Sequence, residues 1–432
     1  MPTKIKTSPS GSLHSDFQNL QKVLSVNSKL NSTLDLDALL GIIMNTAAEV
    51  MNAKAASLML FNETRTELIF KVAMGCKAAS MLKENFSVKL GEGIAGTVAK
   101  TGKSVVIENV EKDKRFAKRF DQATGFSSKA IICVPLKSKT EIIGVLEAIN
   151  PIARDSFCGN DIKLFEAFAN QAAIAVENAR MHAELLQQEK SKQELKIAHE
   201  IQQNFLPDLT QNKFDLDIAA KNIPAREVGG DFYDIIRFDG DKIGIIIGDV
   251  SGKGVPAALY MVRAISEYRF LANRTKSPSE LLFALNNSLA KESQMGMFIT
   301  LLYMVIDSKK KILQYASAGH HPILLRKSQT GQILSLENQG GLPVGLVEES
   351  SYDESTVFLE TGDSLFAYTD GIIEARNVQG KEYSLENLKQ SILKLGPSAL
   401  KYTERILEDL KKFTAGAPQH DDITALTIVI PA

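Results

Sequence analysis

The chain has no tryptophan and only three cysteines in 432 residues. Cys76, Cys133 and Cys158 are odd in number and far apart, which excludes a disulfide framework and a thiolate zinc site and suits a reducing compartment. No apolar run nears the ~18 residues that span a bilayer; Ile243 to Ile247, among the longest, is broken early. Residues 1–15 are rich in Ser, Pro and Lys without an apolar signal core, so they read as a mobile tail. Charge bias is also missing. Fifty basic against 51 acidic side chains give a net charge of −1, too balanced for the footprint of a nucleic-acid or anionic-membrane binder. A cytoplasmic protein with neither nucleic acid nor membrane as partner is expected, and 432 residues predict two or three domains.

What is present falls into blocks. Phe17, Leu20 and Leu24 predict a helix within 16–34. Asp35 is placed to cap the next helix, with Leu36, Leu39, Leu40, Ile43 and Met44 on one side. Short strand-like runs and one short helix, Ile94 to Lys100, then make 35–160 an α+β domain. Residues 161–206 change character, with neither Pro nor Gly inside. Phe165, Phe168, Ala172, Ala175, Ala179 and Leu186 follow heptad spacing, which weakens at Glu189 and Gln193 and resumes at Ile197, Ile201 and Phe205 before Pro207 stops it. Two readings stay open: a dimeric coiled coil, or a helix lying on its own domain. Residues 207–432 are dominated by strand-like runs with helices at Pro256 to Leu271, Pro278 to Lys291 and Ser398 to Phe413, a β-rich domain.

The chemistry lies in this last block. Aspartates recur where apolar runs meet glycine or polar turns: Val228-Gly229-Gly230-Asp231-Phe232-Tyr233-Asp234, Gly248-Asp249-Val250-Ser251-Gly252, Tyr368-Thr369-Asp370-Gly371 and His420-Asp421-Asp422. A fold can gather such carboxylates only where cations neutralise them, and oxygen-only donors suit Mg²⁺ or Mn²⁺. Two such ions would activate a water for in-line displacement. Asp249, ending a strand-like run, is the natural bridge, with the Val250 carbonyl as a neutral donor and Asp231 (or Asp234), Asp370 and Asp421 as the rest. Asp234 and Asp422 also read as hydrogen-bonding supports, Arg226 as a phosphate grip or a solvated loop residue, and His320 or His321 as a leaving-group acid or a turn histidine. Lys253 reads as a helix-start surface lysine.

Six strings in order carry a resemblance across 214–430: REVGGDFYD from Arg226, IGDVSGKGVPAAL from Ile247, FITLLYMVID from Phe298, SAGHHP from Ser317, AYTDGIIEARN from Ala367 and HDDIT from His420. This segment resembles the SpoIIE/RsbU branch of the PPM metal-dependent serine/threonine phosphatases. The resemblance implies an α-β-β-α sandwich, two Mn²⁺ or Mg²⁺ ions bridged by Asp249 with Asp231, Asp370 and Asp421 around them, and one-step hydrolysis by metal-bound hydroxide. Asp249, Asp231 and Asp370 are its catalytic candidates. It also implies a substrate, the phosphorylated STAS-domain antagonist of an anti-sigma factor. Ala198-His199-Glu200-Ile201 resembles a histidine-kinase phosphoacceptor helix, but no ATP-binding boxes follow it.

Residues of about 35 to 180 resemble a GAF sensor domain, through LDLDALLGIIMNTAAEVMNAKAASLMLFN, GEGIAGTVAKTGKSVVIENV, AIICVPL, IIGVLEAINP and FEAFANQAAIAVENA. Of the signature of cyclic-nucleotide GAF domains, Asn150, Phe157 and Asp161 are present, while Pro151 and Ile162 replace the Lys and Glu. Cys133 reads as a small core residue and Cys76 as a loop thiol. The whole is expected to be sensor, signalling helix and phosphatase, a homodimer through GAF and helix, with a small-molecule GAF ligand. A catalytically silent phosphoprotein-binding protein or a ligand-gated GAF scaffold is the alternative.

Overall fold

A computed structural model describes residues 28–30, 32–73, 87–116, 121–122, 126–139, 141–209, 215–238, 241–275, 277–291, 296–338, 341–394 and 398–431. The 1–15 tail, the helix expected from Phe17, Leu20 and Leu24, and Cys76 lie outside the described residues. The chain divides into two compact units, Met1–Lys190 and Ser191–Ala432.

In the first unit, Asp35 caps helix α1 (Leu36–Met51) by accepting the Ala38 N–H at 2.8 Å. Strands β1 (Ala53–Phe61), β2 (Glu67–Ala73) and β3 (Ser87–Lys89) follow, then α2 (Gly93–Thr101), β4 (Val105–Ile107), β5 (Ile131–Lys137) and β6 (Ile142–Pro151). They form an antiparallel sheet in the order β3-β2-β1-β6-β5-β4. One face packs Leu58, Ile132 and Leu146 against Leu40 and Ile43 of α1 and against the start of the long helix α3 (Gly159–Gln203). The other packs Met59, Cys133 and Val145 against Ile94 and Val98 of α2.

That packing corrects half of the expected dimer seam. Phe165, Phe168, Ala172, Ala175 and Ala179 are buried in the core of their own unit, because the sheet and α1 claim the apolar face of α3 there. Beyond that core the seam faces solvent: Leu186, Ile197 and Ile201 are 53%, 57% and 56% exposed.

The second unit holds β7 (Asp217–Ile223), β8 (Phe232–Arg237), β9 (Lys242–Val250), α4 (Val255–Ala272), α5 (Pro278–Ala290), β10 (Ile299–Asp307), β11 (Ile312–Ala318), β12 (Ile323–Arg326), β13 (Ile333–Leu336), β14 (Ser355–Phe358), β15 (Ser364–Tyr368), α6 (Asp370–Ile373), α7 (Ser384–Leu393), α8 (Ala399–Thr414) and β16 (Ile423–Val429). Two five-stranded sheets form, β14-β11-β10-β9-β8 and β13-β12-β15-β16-β7. Alternation along the strands decides what faces what. Ile245 and Ile247 point between the sheets and meet Leu325, Leu365, Leu426 and Ile428. Ile246 points the other way, into a core with Met261 and Ile265 of α4 and Leu285 of α5. Phe366, Tyr368 and Ala425 of the second sheet pack outward onto Leu388 and Ile392 of α7 and Ile406 and Leu410 of α8. The result is helix, sheet, sheet, helix, the sandwich that the resemblance implied. Strands β3, β13 and β14 and helices α6 and α7 were not anticipated; the strands sit at sheet edges and carry only three or four residues each.

Leu426, fully buried between the sheets, tests this core. Leu426→Ala should lower unfolding free energy by about 2–5 kcal/mol, read by urea denaturation; an unchanged midpoint would argue against the packing.

Candidate active site

The sandwich brings strand ends together. In the first sheet β8 and β9 run antiparallel with Phe232 opposite Gly248, so Asp231, just before β8, lies beside Asp249, near the end of β9. In the second sheet Tyr368 of β15 lies opposite Ala425 of β16, so Asp370, just after β15, lies beside Asp421 and Asp422, just before β16. Polar bonds join the two sheets at this end. Asn222 of β7 donates to the Asp231 carbonyl (3.1 Å) and to Thr424 Oγ1 (2.9 Å). Thr369 and Thr424, both fully buried, donate their hydroxyls to the same oxygen, Oδ2 of Asp231, at 2.7 and 2.8 Å.

The electrostatics follow from this crowding. Burial, and then the charge of Asp249, push the Asp231 carboxyl well above its ordinary range. Burial and the charge of Asp370 push Asp249 up to about 7, and Asp231 lies within hydrogen-bond reach of it. Asp370 is raised by its own burial and by Asp421. Lys253 opposes these charges: its ammonium donates to Asp421 Oδ2 (2.8 Å) and to the His420 carbonyl (2.6 Å). Lys253 is exposed at the start of α4, as read from sequence, and in addition it is tied to the acidic loop. Among the described residues, no three His, Cys, Asp or Glu side chains close a cation cage by themselves.

Glycines permit the approach of the loops. A Cβ on Gly230 would stand 3.0 Å from the Val250 carbonyl oxygen, and one on Gly371 would stand 1.9 Å from the Asp422 carbonyl oxygen. Asp422 itself is a brace. Its Oδ1 accepts the Ala225 N–H and its Oδ2 the Gly230 N–H, each at 2.7 Å. Asp234 is separate from the cluster, held by Arg269 through Oδ2 at 2.7 Å and Oδ1 at 3.1 Å. Of the two acidic positions left open in that string, Asp231 is the one beside Asp249.

His320 does not fit the acid role. It is half-buried with its Nε2 out of solvent, its Nδ1 lies 2.9 Å from Thr300 Oγ1, and loss of solvent with His321 lowers its pKa to about 3, so the ring is neutral. His321 stacks on Tyr368 with ring centroids 5.4 Å apart. Arg226 is exposed. A cleft of about 1190 Å³ opens at Lys253, Gly371, Glu374 and Asp421 and continues past Leu400, Leu407 and Pro418.

A family model described as stage II sporulation protein E matches residues 239–431, and the GAF domain model matches 35–176. The phosphoserine phosphatase RsbU of Bacillus subtilis (strain 168) is 31% identical over 243 residues, covering 56% of this chain and 71% of RsbU. The chain belongs to the SpoIIE/RsbU family of PPM-type serine/threonine protein phosphatases. A second phosphatase from the same organism, RsbP, is 27% identical over 188 residues, 43% of this chain and 46% of RsbP. The SiaA-PP2C domain of Pseudomonas aeruginosa superposes with a TM-score of 0.50 at 21% identity, covering 56% of this chain and 98% of that domain, and so shares its fold.

In the GAF domain of this phosphatase, the three retained signature residues have internal duties. Asn150 (φ 56°) holds the loop before β5, accepting from Lys129 N at 2.7 Å and Ala130 N at 3.1 Å and donating to Ser127 O at 2.7 Å. Phe157 is buried in the core. Asp161 pairs with Arg154 at 2.6 Å and accepts the Cys158 N–H at 2.7 Å. Sequence reading overlooked Glu147, a carboxyl raised by burial between Ser57 and the buried Cys133. Among the described residues, no helix is long and apolar enough to cross a membrane.

Gly371→Ala tests the close approach. The added methyl cannot clear the Asp422 carbonyl, so the start of β16 must shift. Hydrolysis of p-nitrophenyl phosphate should fall about tenfold or more, as for other disturbed supporting shells; wild-type turnover would refute the geometry.

Proposed function

We propose that this phosphatase is signal-regulated and hydrolyses phosphoserine or phosphothreonine on a protein, using two Mg²⁺ or Mn²⁺ ions held by Asp231, Asp249, Asp370 and Asp421. The observation that carries the reading is the gathering of these four carboxylates at one end of the sandwich. Hard oxygen donors suit these ions. Carboxyls driven to hold protons by burial and by one another are what a divalent cation relieves. When bound, such ions acidify a water and neutralise charge on the phosphoryl group.

The chain's own residues do the remainder. Asp249, on a central strand, is close enough to Asp231 and Asp370 for their charges to act on one another, and would hold the ions together with them. Two threonine hydroxyls occupy one oxygen of Asp231 and leave the other for the ions. The Val250 carbonyl, approached by Gly230, is a neutral donor. Lys253 holds Asp421 and brings positive charge to the lining of the cleft, which suits a dianionic phosphate.

The substrate we infer is a phosphorylated STAS-domain antagonist of an anti-sigma factor, in a cytoplasmic partner-switching pathway. Family membership supports it, and the long cleft beside the carboxylates offers more room than a phosphate ester fills. The GAF domain is the sensor of a small molecule. The exposed Leu186, Ile197 and Ile201 of α3 support a homodimer through GAF domain and helix.

Hydrolysis of p-nitrophenyl phosphate should require Mn²⁺ or Mg²⁺ and stop on chelation. Asp249→Asn should lose about two orders of magnitude or more, the several kcal/mol that metal catalysis supplies. Mn²⁺ should also raise the melting temperature of the wild type more than that of Asp249→Asn. Turnover that survives chelation, or equal rates in the two proteins, would overturn the reading.

A further inference from the structure

The last turn of α3 touches the loop that carries Asp231. Gln202 is a buried polar side chain, 6% exposed, and both ends of its amide are used on one residue. Its Nε2 donates to the Gly229 carbonyl at 2.6 Å, and its Oε1 accepts the Gly229 N–H at 3.3 Å. Gly229 opens the Gly229-Gly230-Asp231 turn. The next N–H, of Gly230, is held by Asp422 at 2.7 Å, and a Cβ on Gly229 would stand 2.4 Å from that same Asp422 oxygen. A second tie lies three residues further on: Arg269 of α4 donates to the Phe205 carbonyl at 2.7 Å while gripping Asp234 on β8. The chain just beyond α3 thus holds the segment after Asp231, and Gln202 holds the segment before it.

We propose that Gln202 is a positioning residue for Asp231, fixing the Gly-Gly turn so that the carboxylate stands where the cations need it. The proposal rests on the metal-dependent phosphatase reading. Two glycines in succession resist little, so this turn depends on outside partners for its shape. An amide that pairs with both the N–H and the C=O of one residue fixes orientation as well as distance, which a single bond does not. Hydrogen bonds weaken steeply outside a narrow range of length and angle, so a small shift or rotation of the last turn of α3 breaks the pair. Gln202 sits on the same continuous helix whose first half is packed into the GAF core. Its contact is therefore a place where a movement of that helix reaches the site. Leu206, close by, packs into the cores on both sides of the first sheet, but it makes no such bond to the turn.

The test uses the full chain with p-nitrophenyl phosphate and Mn²⁺. Gln202→Met keeps length and bulk and removes both hydrogen bonds. It should raise the Mn²⁺ concentration for half-maximal rate by about tenfold or more, the usual effect of losing a support behind a metal ligand, and lower kcat. Its melting temperature without Mn²⁺ should stay near that of the wild type. Gln203→Met, one residue on, should leave the Mn²⁺ dependence unchanged. If Gln202→Met does not fold, Gln202→Glu, which keeps the acceptor and loses the donor, is scored by the same shift. An unchanged Mn²⁺ dependence in a folded Gln202 variant, or an equal shift in Gln203→Met, overturns this inference. A wild type without Mn²⁺-dependent turnover overturns the metal reading instead.

Discussion

Crowding of carboxylates at one end of the sandwich is the constraint on which the site of the second unit depends. Asp231, Asp249 and Asp370 each hold their protons more tightly than a free carboxyl, for two reasons together: loss of water and the neighbouring negative charge. A fold does not gather such groups for its own stability. It must supply the means to hold them in place, and several polar bonds at this end of the sandwich do so. Thr369 and Thr424 give their hydroxyls to Asp231, Asn222 fastens its carbonyl, and Lys253 offsets Asp421.

The two-sheet architecture explains why four distant stretches of chain meet here. Antiparallel neighbours put the start of one strand beside the end of the next, so β8 with β9 and β15 with β16 each present a pair of acidic loops at one end. Stacking the sheets over the core of Ile245, Ile247, Leu426 and Ile428 aligns the two pairs. The apolar core therefore sets the spacing of the charges, and the glycines at 230 and 371 let the loops approach without a Cβ between them. Stability and chemistry draw on different residues of the same strands: the inward side chains hold the sheets together, and the strand ends carry the acid groups.

Much of this was legible in the sequence, for a physical reason. An aspartate at a strand end has an apolar run on one side and a small or polar turn on the other, and that contrast is visible in one dimension at 231, 249, 370 and 421. Partners were not visible. Thr369 and Thr424 look like ordinary strand residues until β15 and β16 pair, and Gln202 looks like any polar residue on a long helix. Asp234 could be told from Asp231 only once Arg269, on a different element, was seen to claim it. Periodicity failed in a different manner at Phe165 to Ala179. An apolar stripe states that something covers a helix, and the same stripe serves a second chain or the helix's own domain. In the folded chain it is the sheet and α1 that cover it.

The long helix thus carries two kinds of residue on one continuous backbone. Near its start the apolar side is locked into a core, where displacement would open a cavity among Phe165, Phe168 and Ala172. Near its end Ile197 and Ile201 are exposed, and the contacts that matter are polar and few: Gln202 to Gly229, and just past the helix Phe205 to Arg269. A two-point amide pair weakens steeply with small changes of length and angle. The polar contacts of the helix's last turn are therefore lost over a small displacement. In this chain those contacts lie at the turn leading directly into Asp231.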